Sequence, residues 1–335
     1  MTNGSATPRS TAQVATTAPA ESLAPRQMPM WGDGARSLPT PFLRSALFRP
    51  ASTREPRVKM EDDLIEAADG VELRYSGVEL RLDDERVLEE ILHLARGNMQ
   101  DDLGVKVVFT GYEMLKRLGR GTGGAEYASL HESITRLQTA KVSFSKVHKN
   151  RRRRFQGQLV SAFATDTETG NGPNVHPNSQ WTVFIGPYVR TMFGDALLLD
   201  QEQRKALRKP YAIWLHGYLS FLQPGQIVQM DSDEVLRTSG TRAARKRDAM
   251  NSVRGGLTEL QEVGFLARFH VNPNGTITVQ RTGELDPALQ PNGIGLTEWP
   301  ELANKVSVAA PRPQPQEVRG LDLVMGDLFD EAAQR

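Results

Sequence analysis

The stretch LGRGTGGAEY, residues 118–127, places Gly119, Gly121 and Gly124 at G-x-G-x-x-G spacing, the fingerprint of a dinucleotide-binding loop. That fingerprint needs a buried strand running in, a helix running out and, about 20 residues on, an acid for the ribose. Here Tyr112, Met114, Leu115 and Leu118 precede the glycines at helical spacing, so the run-in reads as a helix. From Ser133 to Thr165 there is no Asp or Glu, while the same window holds eight Lys or Arg. The acid is therefore missing, and the stretch reads as helix, glycine turn, helix. Gly119 suits the position after a helix end, where a positive φ costs glycine little.

Outward from this turn, the chain shows two blocks of similar order. In block one, Val71, Leu73 and Tyr75 alternate, as do Val78, Leu80 and Leu82, with Ser76-Gly77 as a turn. Asp83-Asp84 then opens a helix that buries Val87, Leu88, Ile91, Leu92 and Ala95. A strand at 105–109, the short helix and the glycine turn follow. The next helix turns Tyr127, Leu130, Ile134 and Leu137 inward and offers Ser129, Glu132, Ser133 and Arg136 on its other side. Strands are expected at 142–147, 158–163 and 181–185. Block two reads as a helix at 202–222, a strand at 226–230 and a short helix at 231–237. A turn at Thr238-Ser239-Gly240, a long helix at 242–263 and a hairpin of 265–271 with 276–281 complete it. Helix, strand, helix, turn, helix, hairpin is the winged-helix order. The expected fold class is α+β, with two tandem winged-helix domains.

Length and composition bound the rest. A chain of 335 residues fits about two domains. Residues 1–56, rich in Pro, Ser, Thr and Ala, read as a disordered tail; 57–200 and 201–283 read as the two domains. Residues 284–335 read as a flexible tail stiffened by Pro311, Pro313 and Pro315. The absence of cysteine excludes disulfides and thiolate zinc sites. No apolar run approaches the ~20 residues of a membrane helix, and the start lacks a signal-peptide pattern. A cytoplasmic protein without a membrane partner is expected.

Net charge is only +1, but it is unevenly spread. Basic clusters at 141–154 and 242–254 point to a polyanion contacted locally. In block two, Arg242, Arg245, Lys246 and Arg247 crowd the start of the long helix, where cations oppose the helix dipole and an external phosphate would relieve them. Arginine there can read guanine, and Asn251, further along the exposed side, can read adenine. In block one, Lys146, Lys149, Arg151, Arg152, Arg153 and Arg154 fall between two strands, where a wing tip is expected to meet phosphates. Ser129, Ser133 and Arg136 are the candidates on the block-one recognition helix. Gly123-Gly124 would let that helix begin close to the DNA backbone.

No catalytic residues, metal ligands or cofactors are expected. The six histidines, at 93, 131, 148, 176, 216 and 270, include no His-x-His pair for a nickase metal. Asp231-Ser232-Asp233 has carboxylate spacing but sits at a helix start, where acids are favoured anyway. No G-x-x-x-x-G-K-[ST] loop occurs, so ATP-driven unwinding is not expected. A non-enzymatic DNA-binding protein is the reading that remains, with a transcriptional regulator or autorepressor on the same fold as its alternative.

RSALF at 44–48, VELRYSGVELRL at 71–82, SLHESITRLQTAKVSFS at 129–145 and ELQEVGFL at 259–266 resemble the TrfA-type plasmid replication initiators. The resemblance covers roughly 44–283, more specifically in block one. It implies tandem winged helices that bind iterons, the direct repeats of a plasmid origin, as duplex DNA. It also implies opening of an A+T-rich segment, with that single-stranded DNA as a further partner, and recruitment of host DnaA and the replicative helicase. A monomer–dimer equilibrium in plasmid copy control is implied too. Family members can carry a sliding-clamp motif Q-L-S-L-F-D near the N-terminus. Here the tail segment MGDLFD at 325–330 resembles it with Met for Gln, making Leu328 and Phe329 the clamp-binding candidates.

Overall fold

A computed structural model describes residues 27–284, apart from 53, 69, 149–150 and 166–178. The chain opens with β1 (Ala35–Pro39), α1 (Thr40–Leu43) and β2 (Phe48–Arg49), then β3 (Lys59–Ile65), β4 (Glu72–Val78) and β5 (Leu80–Arg81). The first helical unit comprises α2 (Leu82–Ala95), β6 (Gln100–Asp101), β7 (Gly104–Thr110), α3 (Gly111–Arg117) and α4 (Gly124–Thr139). Next come β8 (Lys141–His148), β9 (Arg151–Gln158), β10 (Val160–Thr165), β11 (Gln180–Ile185) and α5 (Pro187–Thr191). A connector, β12 (Ala196–Asp200) with α6 (Gln201–Ala206), leads to the second unit. That unit is α7 (Pro210–Leu219), β13 (Ile227–Asp231), α8 (Ser232–Thr238), α9 (Lys246–Glu262), β14 (Leu266–Val271) and β15 (Thr276–Arg281).

Both units are winged helices, and their sheets share one logic. In the second, the order is β13-β15-β14: the strand before the helix-turn-helix pairs with the far strand of the hairpin. In the first, β7 pairs antiparallel with β11, which pairs with β10, and β6 extends the sheet. The first wing is therefore β10–β11, and its tip at 166–178 lies outside the described residues.

Each unit has its own core. In the first, α2 buries Val87, Leu88, Ile91, Leu92 and Ala95 against β7 and α4. Each fully buried large aliphatic side chain contributes roughly 1.5–3 kcal/mol. In the second, Ile213, Trp214, Leu215, Tyr218 and Leu219 are buried all round α7, a central helix on which α9 packs. Gly119 follows α3 at φ 67°, which fits its expected role at the helix end.

Four expectations fail. The N-terminal tail does not extend to 56: β1 pairs with β12, and Leu38, Phe42, Leu43 and Phe48 are core residues. RSALF bridges the units, with Phe48 in the first core and the Arg44 guanidinium over the Phe221 ring. The Trp214 indole also donates to the Ser45 carbonyl at 3.3 Å. Ser76-Gly77 is no turn; β4 runs through it as an inner strand between β3 and β8. The helix expected at 202–222 breaks at Pro210, whose missing N–H suits a helix start instead. Finally, Arg151, Arg152, Arg153 and Arg154 belong to strand β9, not to a loop. Their hairpin with β8 extends the sheet β3-β4-β8-β9, which is separate from the wing sheet.

Candidate nucleic-acid interface

The second helix-turn-helix is built by ordinary local chemistry. Asp231 caps α8, its carboxylate accepting from the Asp233 N–H at 2.9 Å. Gly240, at φ 64°, ends the turn in a conformation that favours glycine. A β-carbon there would stand 2.9 Å from Ala46 Cβ, so the turn seats against the N-terminal arm. The α9 helix begins at Lys246, later than expected, with Arg245 as an extended N-cap that makes no side-chain cap bond. Arg242 thus precedes the helix. Ala249, Val253, Gly256, Leu257 and Leu260 face the core.

The outer side of α9 carries the candidate residues. Arg247, Asn251, Arg254 and Thr258 recur at helical spacing and are all exposed. Neither Arg245 nor Arg247 has an ion-pair partner among the described residues. Arg254 was missed in the sequence reading, although its seven-residue offset from Arg247 was the available signal. The other two cations are engaged. Lys246 pairs with Asp233 of α8, and Arg242 reaches Glu79 at 2.7 Å. The wing turn Asn272-Pro273-Asn274-Gly275 exposes Pro273 and Asn274 and carries no charge.

The first unit differs. Ser133 is buried and donates to Asp84 Oδ1 at 2.8 Å. Arg136 donates to the same oxygen from Nε at 3.0 Å and Nη2 at 2.8 Å. Both face inward because Asp84 on α2 is fully buried and needs counter-charge. They are therefore internal ligands of a carboxylate, which corrects their expected exposure to DNA. Ser129 is half-buried, and the exposed positions of α4 are Gly124, Ala125, Ala128, His131, Glu132, Thr135 and Thr139. That face holds no lysine or arginine. In the basic hairpin, backbone register sets Arg154 opposite Ser145, Arg153 opposite Lys146, Arg152 opposite Val147 and Arg151 opposite His148. Lys149 lies outside the described residues, as do the side chains of Lys146, Arg151, Arg152, Arg153 and Arg154. Leu328 and Phe329 lie outside them as well.

Glu79 joins the units. Burial alone would raise its carboxyl, but the Arg81 hydrogen bond and the charges of Arg49, Arg242 and Arg81 prevail and hold it below the usual value. The opening glycine stretch lies between α3 and α4, so the strand-to-helix setting of a nucleotide loop is absent. Among the described residues no cluster of three or more His, Asp or Glu could hold a metal, and no helix is long and apolar enough to cross a membrane.

A sequence model of the family described as TrfA protein matches residues 20–160. The plasmid replication initiator protein TrfA of Escherichia coli is 33% identical over 117 residues, which span 34% of this chain and 30% of that relative. Among solved structures, domains 2 and 3 of RctB align at a TM-score of 0.50 and 15% identity, covering 74% of this chain and 99% of that one. At that identity the likeness concerns the fold alone.

Proposed function

From the TrfA-family match over residues 20–160, we propose that this chain is a plasmid replication initiator that binds origin DNA in duplex form without enzymatic activity. The observation that carries the reading is the outer face of α9. Arg245 and Arg247, without an ion-pair partner among the described residues, stand at the start of a recognition helix, and Asn251 and Arg254 continue the same stripe. In a major groove, arginines can hydrogen-bond guanine O6 and N7, and Asn can read adenine N6 and N7. The β8–β9 hairpin adds phosphate contacts from the first unit, raising affinity more than specificity.

In this reading the DNA repeats are iterons, and opening of an adjacent A+T-rich tract draws on binding energy and bending. Host DnaA, the replicative helicase and, through Leu328 and Phe329, the sliding clamp are recruited in the cytoplasm. Self-association sets the supply of active protein. Footprinting on the parental plasmid tests the proposal. Protection of tandem repeats beside an A+T-rich tract is expected. Protection of a lone palindrome at a promoter would identify a regulator instead, and metal-dependent cleavage or ATP turnover would identify an enzyme. If about 6–10 phosphates are neutralised, binding falls roughly 10³–10⁵-fold between about 50 and 200 mM salt.

A further inference from the structure

The helices α4 and α9 are joined by a chain of ion pairs and hydrogen bonds, two of which use the backbone of Glu79 and Arg81. Arg136 on α4 holds Asp84 Oδ1. Asp84 Oδ2 accepts from Arg57 Nη1 at 2.6 Å and from the Arg81 backbone N–H at 3.0 Å. Arg57 also donates to the Glu79 carbonyl at 2.7 Å, and Arg81 Nε donates to Glu79 Oε1 at 2.7 Å. Glu79 Oε1 accepts from Arg49 Nε at 3.2 Å, and Oε2 stands 2.7 Å from Arg242 Nη1. Arg242 lies three residues before the N-cap of α9.

The chain is buried on the first unit's side of the crossing, whereas Arg242 on the second unit's side is exposed. Glu79, Asp84, Arg49 and Arg81 are all at most 5% exposed. Counting Glu55 and Asp83, which pair with Arg49 and Arg57, five guanidinium groups face four carboxylates. The set is close to self-neutral, so it has little unmet charge to offer a phosphate. A buried ionic set of this kind is a poor source of net stability, because desolvation offsets the attraction. What it supplies is geometry: Glu79 holds Arg49, Arg81 and Arg242 within ion-pair distance of one carboxylate.

We propose that Glu79 is a positioning residue: through Arg242 it fixes the start of α9 relative to α4, so that the two units can engage DNA only at one spacing. The proposal rests on the DNA-binding reading above. Arg242 is then chiefly an anchor and only secondarily a phosphate contact. In a rigid pair, a change of spacing moves the second contact site around the duplex as well as along it. Each inserted base pair turns it by about 34°.

The test uses the full chain and a duplex that the wild-type protein selects from a random-sequence pool. The duplex is resynthesised with two base pairs inserted between the two protected segments. Wild type should lose at least about tenfold in affinity on insertion, a coupling ordinary for linked sites. Glu79→Gln, and separately Arg242→Ala, should bind the parent duplex more weakly but lose less than about threefold on insertion. Arg242 is exposed, so its variant decides the matter if Glu79→Gln does not fold. The ratio of the two affinities is the readout, because a merely weakened fold or a lost phosphate contact lowers both alike. The strut is overturned if both variants keep the wild-type penalty, or if wild type shows no penalty or protects one segment only. Selection of no duplex by wild type would instead overturn the DNA-binding reading, and the strut with it.

Discussion

Glu89 on α2 reaches the Arg204 guanidinium of α6 at 2.6 Å, and with Glu85 encloses it where the two units meet. All three side chains are buried, and Arg204 Nη1 also donates to the Ile213 carbonyl at 3.1 Å. Removing the cation leaves two buried acidic side chains without their partner. Arg204→Met should therefore cost about 3–5 kcal/mol in urea unfolding. Burial raises the Glu85 carboxyl to about 8; Arg204 opposes that rise and Glu89 adds to it. The fold then holds a proton that the unfolded chain releases, so stability falls as pH rises from 4.5 to about 8. Glu85→Gln should remove that slope, and an unchanged slope would contradict the assignment.

His93 should act in the opposite sense. Burial, then the charges of Arg36, Arg96 and Arg117, lower it to about 4, while Asp33 opposes them weakly. The Trp31 indole donates to its Nδ1 at 3.2 Å, which requires that nitrogen unprotonated. The unfolded chain takes up the proton first, so stability falls as pH drops from 6.5 to about 4. Urea midpoints at both ends of that window should show a smaller acid loss for His93→Gln than for wild type.

Two neighbouring glycines of α9 should respond with opposite sign. A β-carbon on Gly255 meets only Lys209, at 3.8 Å, so Gly255→Ala gains about 0.8–1 kcal/mol of helix propensity. On Gly256 it would stand 2.9 Å from the Ala212 nitrogen and the Tyr211 carbonyl carbon, both backbone atoms of α7. Overpacking of that kind costs about 1–3 kcal/mol, and the propensity gain does not offset it. Thermal unfolding of the two variants checks the pair.

Ser133→Ala should weaken the fold, not the DNA contact. It removes a hydrogen bond to the buried Asp84 carboxylate, a loss of about 1.5–3 kcal/mol. Affinity for DNA, measured at matched folded concentration, should stay within about twofold of wild type. Full stability with lost binding would return Ser133 to the interface.

Block two was legible because its signals are local: Asp231 as a cap, Gly240 after a helix end, and Val253, Leu257 and Leu260 at helical spacing. What failed depends on contacts distant in sequence. Ser133 and Arg136 flank the apolar stripe of α4, and nothing near them signals that Asp84, some fifty residues earlier, is buried opposite. The arginine run hid β9, because charge breaks the apolar alternation by which strands are read. Its pairing is set by β8, in a sheet seeded by β3 and β4. Pro50, Pro56 and the serines around them masked an arm whose order comes from packing on both units.

The central claim is that the start of α9 grips duplex DNA through Arg245 and Arg247. The direct test is the affinity of Arg245→Ala/Arg247→Ala, against wild type, for the duplex that wild type selects, with urea unfolding of both proteins. Both side chains are exposed, so stability should stay within about 1 kcal/mol. Binding should be lost at salt where wild type is saturated. Undiminished binding by a folded double variant would contradict the account.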